Sequence, residues 1–159
     1  MKSIERIKNS EIYKRWHGDE YLVNYFFMED KETVDFYSKK TKKITSFKVS
    51  DTIEMSEDNI FQKKGKDLEE LEIQKVTIGR ESALEQATQI KEEKLPREQV
   101  TKTIAILQQK SIPLWNITYI TSNFNMLNIK IDARTGKTIE ENVHSLLDLI
   151  QRKNEKKKY

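Results

Sequence analysis

At 159 residues the chain is long enough for one ordinary domain or two very small ones. Its 29 basic and 26 acidic residues leave a net charge of +3, an even mixture without the one-sided basic excess of a dedicated nucleic-acid binder. There is no cysteine, which excludes disulfides, thiolate metal sites and a cysteine nucleophile. The opening residues, MKSIERIKNSEIYKRW, contain no continuous apolar core, and no later run approaches the ~20 apolar residues of a membrane span. The chain as it stands therefore reads as cytoplasmic, and as envelope-associated if a leader or anchor was removed.

In chain order, Ile4, Ile7, Ile12, Tyr13 and Trp16 fall close to one stripe of a helix over 3–16, which His-Gly-Asp at 17–19 ends. YLVNYFFM (21–28) is rich in aromatic residues and predicts a strand. Strands at 33–38 and 44–50 follow, joined through a polar turn at 29–32 and a basic turn at 39–43. Residues 51–70 are the least patterned part and read as a connection anchored by Ile53, Met55, Ile60 and Phe61, with a short edge strand at 71–78. A second amphipathic helix spans 80–93, with Ala83, Ala87 and Ile90 on its stripe, and Pro96 ends it. A strand at 100–108 leads into the best-patterned stretch, Leu114–Lys137, where Trp115, Ile117 and Tyr119 alternate before an Asn-rich break. Leu127, Ile129 and Ile131 then alternate up to Asp132, which reads as an antiparallel hairpin. Asp132 is placed to bond the following turn, and Gly136 to take a positive φ. The last element predicts as a helix over 138–153, capped by Thr138 with Glu141 three residues on and apolar at Ile139, Val143, Leu146, Leu147 and Ile150. A basic tail, 154–159, closes the chain.

The two meanders share a pattern: VDFYSKKTKKIT (34–45) lies over LNIKIDARTGKTI (127–139), and YLVNYFF over PLWNITY, with Asn24 over Asn116. Trp115 in an apolar strand, the short loop, the alternating strand and the IDARTGK turn resemble the PepSY domain. IGRESALEQA (78–87) is similar to that family's helix start. The likeness covers about residues 76–139, and the whole looks like small PepSY proteins of Gram-positive bacteria in which two cystatin-like units follow one another. The chain departs from them in lacking the anchor, in its closing helix, and in having Lys42 where the family has Gly. The resemblance implies an α+β fold of two cystatin-like helix-plus-antiparallel-meander units with an extra C-terminal helix. The first unit would be 1–50, the connection 51–75, and the PepSY-like unit with its closing helix 76–153. It further implies a non-enzymatic role as a binding or regulatory module, with a peptidase or another protein or peptide as partner.

The residues agree on the chemistry. His17 and His144 are far apart in sequence and accompany no nucleophile motif, no metal-ligand spacing and no phosphate loop, so neither catalytic residues, nor a metal, nor a cofactor are expected. Phe124, between Asn123 and Asn125 at a hairpin tip, is the candidate anchor for a protein or peptide partner. The cystatin-like resemblance implies that the helix-free face and the loops meet a partner, which places recognition on 29–32, on 122–125 and on exposed strand aromatics. The alternative partner is nucleic acid, contacted by Lys39, Lys40, Lys42 and Lys43 beside Phe36 and Tyr37.

Overall fold

A computed structural model describes residues 1–59 and 66–157. Its strands are β1 (Tyr21–Met28), β2 (Lys31–Ser38), β3 (Lys43–Val49), β4 (Ile53–Asn59), β5 (Val100–Lys110), β6 (Ile112–Thr121), β7 (Asn125–Asp132) and β8 (Thr138–Ser145). They form one sheet in the order β4-β3-β2-β1-β5-β6-β7-β8. Every pairing is antiparallel, and between consecutive strands the short connections require it. The two meanders meet through β1 and β5, from Asn24↔Gln108 to Met28↔Ile104. The fold is therefore α+β with a wholly antiparallel sheet.

Among the described residues four helices accompany the strands: α1 (Lys2–Lys8), α2 (Glu11–Trp16), α3 (Arg80–Lys94) and α4 (Leu146–Lys156). The single helix expected at 3–16 is broken at Asn9–Ser10. There the Ser10 hydroxyl accepts the Tyr13 N–H at 3.3 Å and starts a new helix. Ile4, Ile7 and Tyr13 share one apolar core with Val34, Phe36 and Phe47, and the Tyr13 ring lies 5.4 Å from that of Phe36. Ala83, Ala87 and Ile90 of α3 join the same core with Trp115, Ile117, Leu127 and Ile129. Small residues on α3 let its backbone lie close over β6 and β7.

Three expectations need correction. Residues 53–59, taken as part of the connection, form the edge strand β4, whose pattern is weak because Met55 and its neighbours are exposed. The edge strand expected at 71–78 is instead a 3-10 turn at Ile73–Lys75, and Ile60 and Phe61 lie outside the described residues. The backbone around that turn bonds elsewhere: Leu71 N–H to Leu22 O at 2.8 Å, and the Thr77 and Ile78 N–H groups to Ala133 O, each at 2.9 Å. The third concerns 138–153, where the first eight residues are β8 and the helix begins only at Leu146. The free edge of β7 offers Thr138–Ser145 a full ladder of hydrogen bonds, which outweighs the helical spacing. Ser145, not Thr138, caps α4, accepting the Asp148 N–H at 3.4 Å. Thr138 accepts from Gln86 Nε2 at 2.8 Å, and Glu141 faces Lys94 at 3.5 Å.

The Asp132 turn forms as the sequence predicts. Gly136 has φ +80° and donates to Asp132 O at 2.8 Å, while the Asp132 carboxylate accepts from Arg134 N–H, Nε and a terminal guanidinium nitrogen at 2.9–3.0 Å. The internal sequence match lays β1–β3 over β6–β8. Counted from the helix preceding each meander, that is one strand out of step.

Candidate functional site

The helical layer has a seam over the sheet, where the helix-side residues Tyr25, Phe27, Ala105 and Leu107 are nonetheless buried. α1 contacts β3 and α3 contacts β6 and β7, so the line along β1 and β5 lies between them. Two cavities open on this line. The first, about 460 Å³, is floored by Tyr25, Phe27 and Trp115 and rimmed by Ser3, Glu32 and the first turn of α3. The second, about 500 Å³, lies beside Leu84, Thr88, Lys91, Glu98, Thr103 and Tyr119. Register places Phe27 opposite Ala105, and Ala105 opposite Ile117, between them. The Arg80 guanidinium sits over the Phe27 ring at 4.2 Å, a cation–π contact that straps the seam at this point.

Arg80 also reaches Glu32 at 3.4 Å. The Glu32 carboxylate is the hub of the first cavity, accepting from Ser3 Oγ at 2.5 Å and from the Tyr25 phenol at 2.6 Å. Three elements, α1, the β1–β2 hairpin and α3, are thereby tied to one side chain. Burial pushes the Glu32 carboxyl up, but the hydrogen bonds from Ser3 and Tyr25 and the Arg80 charge outweigh it, and the group lies below the ordinary glutamate value. Burial and the ionised Glu32 push the Tyr25 phenol far up. A carboxylate whose folded pKa is depressed contributes its stability in full above its unfolded pKa of about 4.3, and loses it as pH falls through the folded value. Glu32→Gln is therefore expected to cost about 1–2 kcal/mol at neutral pH and less in acid, so that the two stability curves converge there. Chemical melts of both proteins from pH 7 downward check this, and parallel curves would show that Glu32 is not the hub.

In the second cavity Lys91 is buried among the core residues of α3, with its Nζ on Glu92 Oε1 at 3.1 Å. Burial raises the Tyr119 phenol, which lies 3.2 Å from Thr88 Oγ1. One oxygen of Glu98 accepts from Asn125 Nδ2 at 2.7 Å, and the other is buried with no hydrogen-bond partner.

That last contact brings the predicted tip to the groove. Asn123 and Phe124 lie in the β6–β7 connection and Asn125 opens β7, with Phe124 in the left-handed region at φ +59° and 58% exposed. The tip is held by Phe124 N–H on Thr121 O at 3.0 Å, Asn125 N–H on Thr121 Oγ1 at 3.2 Å and Ser122 N–H on Gln99 O at 2.9 Å. Asn125 is thus a tether, and Phe124 the presented group. Of the segments singled out in the sequence, 29–32 supplies Glu32 to the first cavity and 122–125 adjoins the second through Glu98. Both lie on the helix side of the sheet.

The four lysines are placed differently. Lys42 pairs with Asp67, Lys43 with Glu57 at 2.8 Å, and the Lys39 ammonium lies 5.8 Å from the centre of the Tyr21 ring. Lys39 and Lys40 line a separate hollow with Asp19, Asp67, Glu69 and Glu70. The charge of this turn is largely answered within the chain. His17 stacks on Tyr13 at 4.8 Å, and His144 is exposed on β8, not on a helix. Among the described residues, no group of three or more acidic or histidine side chains is placed to hold a metal ion.

No family model matches the chain, and no curated protein matches it. A solved structure does. It is the crystal structure of a putative lipoprotein from Clostridium difficile 630, similar with a TM-score of 0.62 at 16% identity over 89% of this chain and 90% of that one. At that identity the likeness is one of fold, and it extends over nearly the whole of both chains. No helix among the described residues is long and apolar enough to cross a membrane.

Sequence reading missed Arg80, Tyr25, Lys91 and Glu98. One signal for Arg80 was present: a cation in the first turn opposes the helix dipole, so a partner for it was to be expected. Lys91 and Glu98 carried no such mark, since each falls in a charged stretch; only the packing of α3 on β6 and β7 buries Lys91, and Glu98 is half-buried with one oxygen fully enclosed.

Proposed function

We propose that the chain is a non-enzymatic binding module of the PepSY type, two cystatin-like units sharing one sheet, that takes an extended peptide or protein segment in the groove between its helices. Regulation of a peptidase is the role this reading favours. The observation that carries it is the alignment of two cavities along the β1–β5 line, with Phe124 presented beside one end. Two further features support it. The first four residues of β5, Val100–Thr103, adjoin β6 but among the described residues have no partner strand on the β1 side, where pairing stops at Ile104. Backbone groups there are available to an added strand. The apolar floor with a few convergent polar groups has the character of a ligand site, and each cavity falls within the usual size range.

The test is a titration with extended peptides selected on an immobilised array, followed by calorimetry. Phe124→Ala is expected to weaken binding by more than ~1 kcal/mol, as loss of an aromatic anchor does, while the melting temperature holds. Thr103→Arg, which fills the second cavity, is expected to abolish it. Replacing Lys39, Lys40, Lys42 and Lys43 by Ser should change mainly the salt dependence. Dominant lysines with Phe124 and Thr103 silent would overturn the reading in favour of nucleic acid. Capture from cytoplasmic and envelope fractions separately would tell in which compartment the partner resides.

A further inference from the structure

Two charged side chains of opposite sign line the second cavity, and each has bonding capacity that the fold leaves unused. Lys91 is only 6% exposed, although lysine is among the residues least often buried. Its ammonium carries three N–H donors and has one partner among the described residues, the exposed Glu92 at 3.1 Å. Glu98 follows the turn that ends α3, where Arg97 takes φ +65° and Glu98 N–H bonds Leu95 O at 3.4 Å. Asn125 Nδ2 fixes one Glu98 oxygen at 2.7 Å. The other, Oε2, is enclosed and has no hydrogen-bond partner among the described residues, Lys91 included. Leaving such an oxygen unpaired is costly, and native structures rarely do so without a use for it. The remaining polar groups are engaged: the Tyr119 phenol meets Thr88 Oγ1 at 3.2 Å and Leu84 O at 3.4 Å. The open valences of the cavity are therefore an acceptor on Glu98 and donors on Lys91.

We infer that this cavity binds an α-ammonium group together with the carbonyl or carboxylate on the same α-carbon. The ammonium donates to Glu98 Oε2, and the oxygen accepts from Lys91. In the groove reading, on which this rests, that group is the amino-terminal residue of the bound segment. The opposed charges select the chemistry. A lone cation, such as a lysine or arginine side chain, satisfies Glu98 but is repelled by Lys91, and a lone anion meets the converse. An interior amide offers a donor and an acceptor, yet both are neutral. Charged partners make hydrogen bonds roughly twice as strong as neutral ones do, and here the protein supplies a charge of each sign. The volume of about 500 Å³ leaves room beyond the amine for a side chain, which Leu84 and Val100 line with apolar surface. Asn125, which holds the other Glu98 oxygen, is the chain neighbour of Phe124. The amine site and the presented aromatic thus share one support.

The test uses one set of peptide sequences arrayed twice on the full chain's partner surface, once with free and once with N-acetylated amino termini. Binding is expected in the free set. In calorimetry, the acetylated and des-amino forms of the best peptide should bind roughly 10–100-fold more weakly, the usual loss of one hydrogen bond to a charged group. Glu98→Gln is expected to bring the free and des-amino forms to nearly equal affinity while the melting temperature holds. Lys91→Met should weaken both forms alike, since it acts on the carbonyl that both carry. Equal binding of all three forms to the wild type overturns the inference and leaves the groove reading standing, as does an amine preference that survives Glu98→Gln. Silence of both peptide sets, with thermal stabilisation by free leucine and not by N-acetylleucine, keeps the α-amino site and overturns the groove reading. Silence of every probe overturns both. Should Glu98→Gln fail to fold, the des-amino comparison on the wild type decides alone.

Discussion

Trp115→Ala is expected to lower the folding free energy by about 3–5 kcal/mol, the range for removing a large aromatic side chain from a closed core. Trp115 is fully buried, its Nε1–H donates to Ile78 O at 2.8 Å, and its ring centre is 6.0 Å from that of Phe27. Truncation takes away the packing of β6 against the α3 approach and leaves the Ile78 carbonyl without its donor. Trp115→Phe separates the two effects, since it keeps most of the packing and loses only the hydrogen bond; about 1–3 kcal/mol is expected for it. Denaturant melts of both variants give the comparison. An alanine variant within ~1 kcal/mol of the wild type would mean that the groove floor does not depend on this side chain.

The same tryptophan shows what the sequence could reveal. Period-two alternation around Trp115 and Ile129 located β6 and β7 nearly to the residue, because both strands have one buried face and one wet one. β1 was equally legible, from its run of aromatic and β-branched residues. Where that contrast fades, so did the reading. β4 is an edge strand with exposed side chains, and the stripe Ile139, Val143, Leu146, Leu147, Ile150 satisfies a helix while two of its members also fit a strand. Only the vacant edge of β7 decides between them, and that edge is brought alongside by the turn after Asp132. The groove was hidden for a similar reason. Phe124 could be identified as a tip residue from its Asn neighbours, but the Glu32–Arg80 strap joins residues 48 apart in sequence, and nothing local announces it.

Gly136→Val is expected to destabilise the chain by about 1–3 kcal/mol, through backbone strain and not lost contacts. At φ +80° a β-branched residue is disfavoured however much room surrounds it. Room is also limited: a Cβ at this position would lie 3.5 Å from Ile78 Cδ1, an ordinary van der Waals contact that leaves little for a branched side chain. The site therefore couples the turn to the groove, since Ile78 supplies the carbonyl that holds Trp115 and immediately precedes the α3 N-terminus. Gly136→Asn distinguishes strain from crowding, because asparagine tolerates the left-handed region far better than valine does. Recovery of most of the lost stability in the asparagine variant assigns the cost to φ. Equal losses in both variants would assign it to displacement of Ile78, and the Trp115 emission should then shift in both as its indole N–H loses its acceptor. Wild-type melts for the valine variant would show that Asp132–Lys137 is not the left-handed turn that the hydrogen bond from Gly136 N–H to Asp132 O defines.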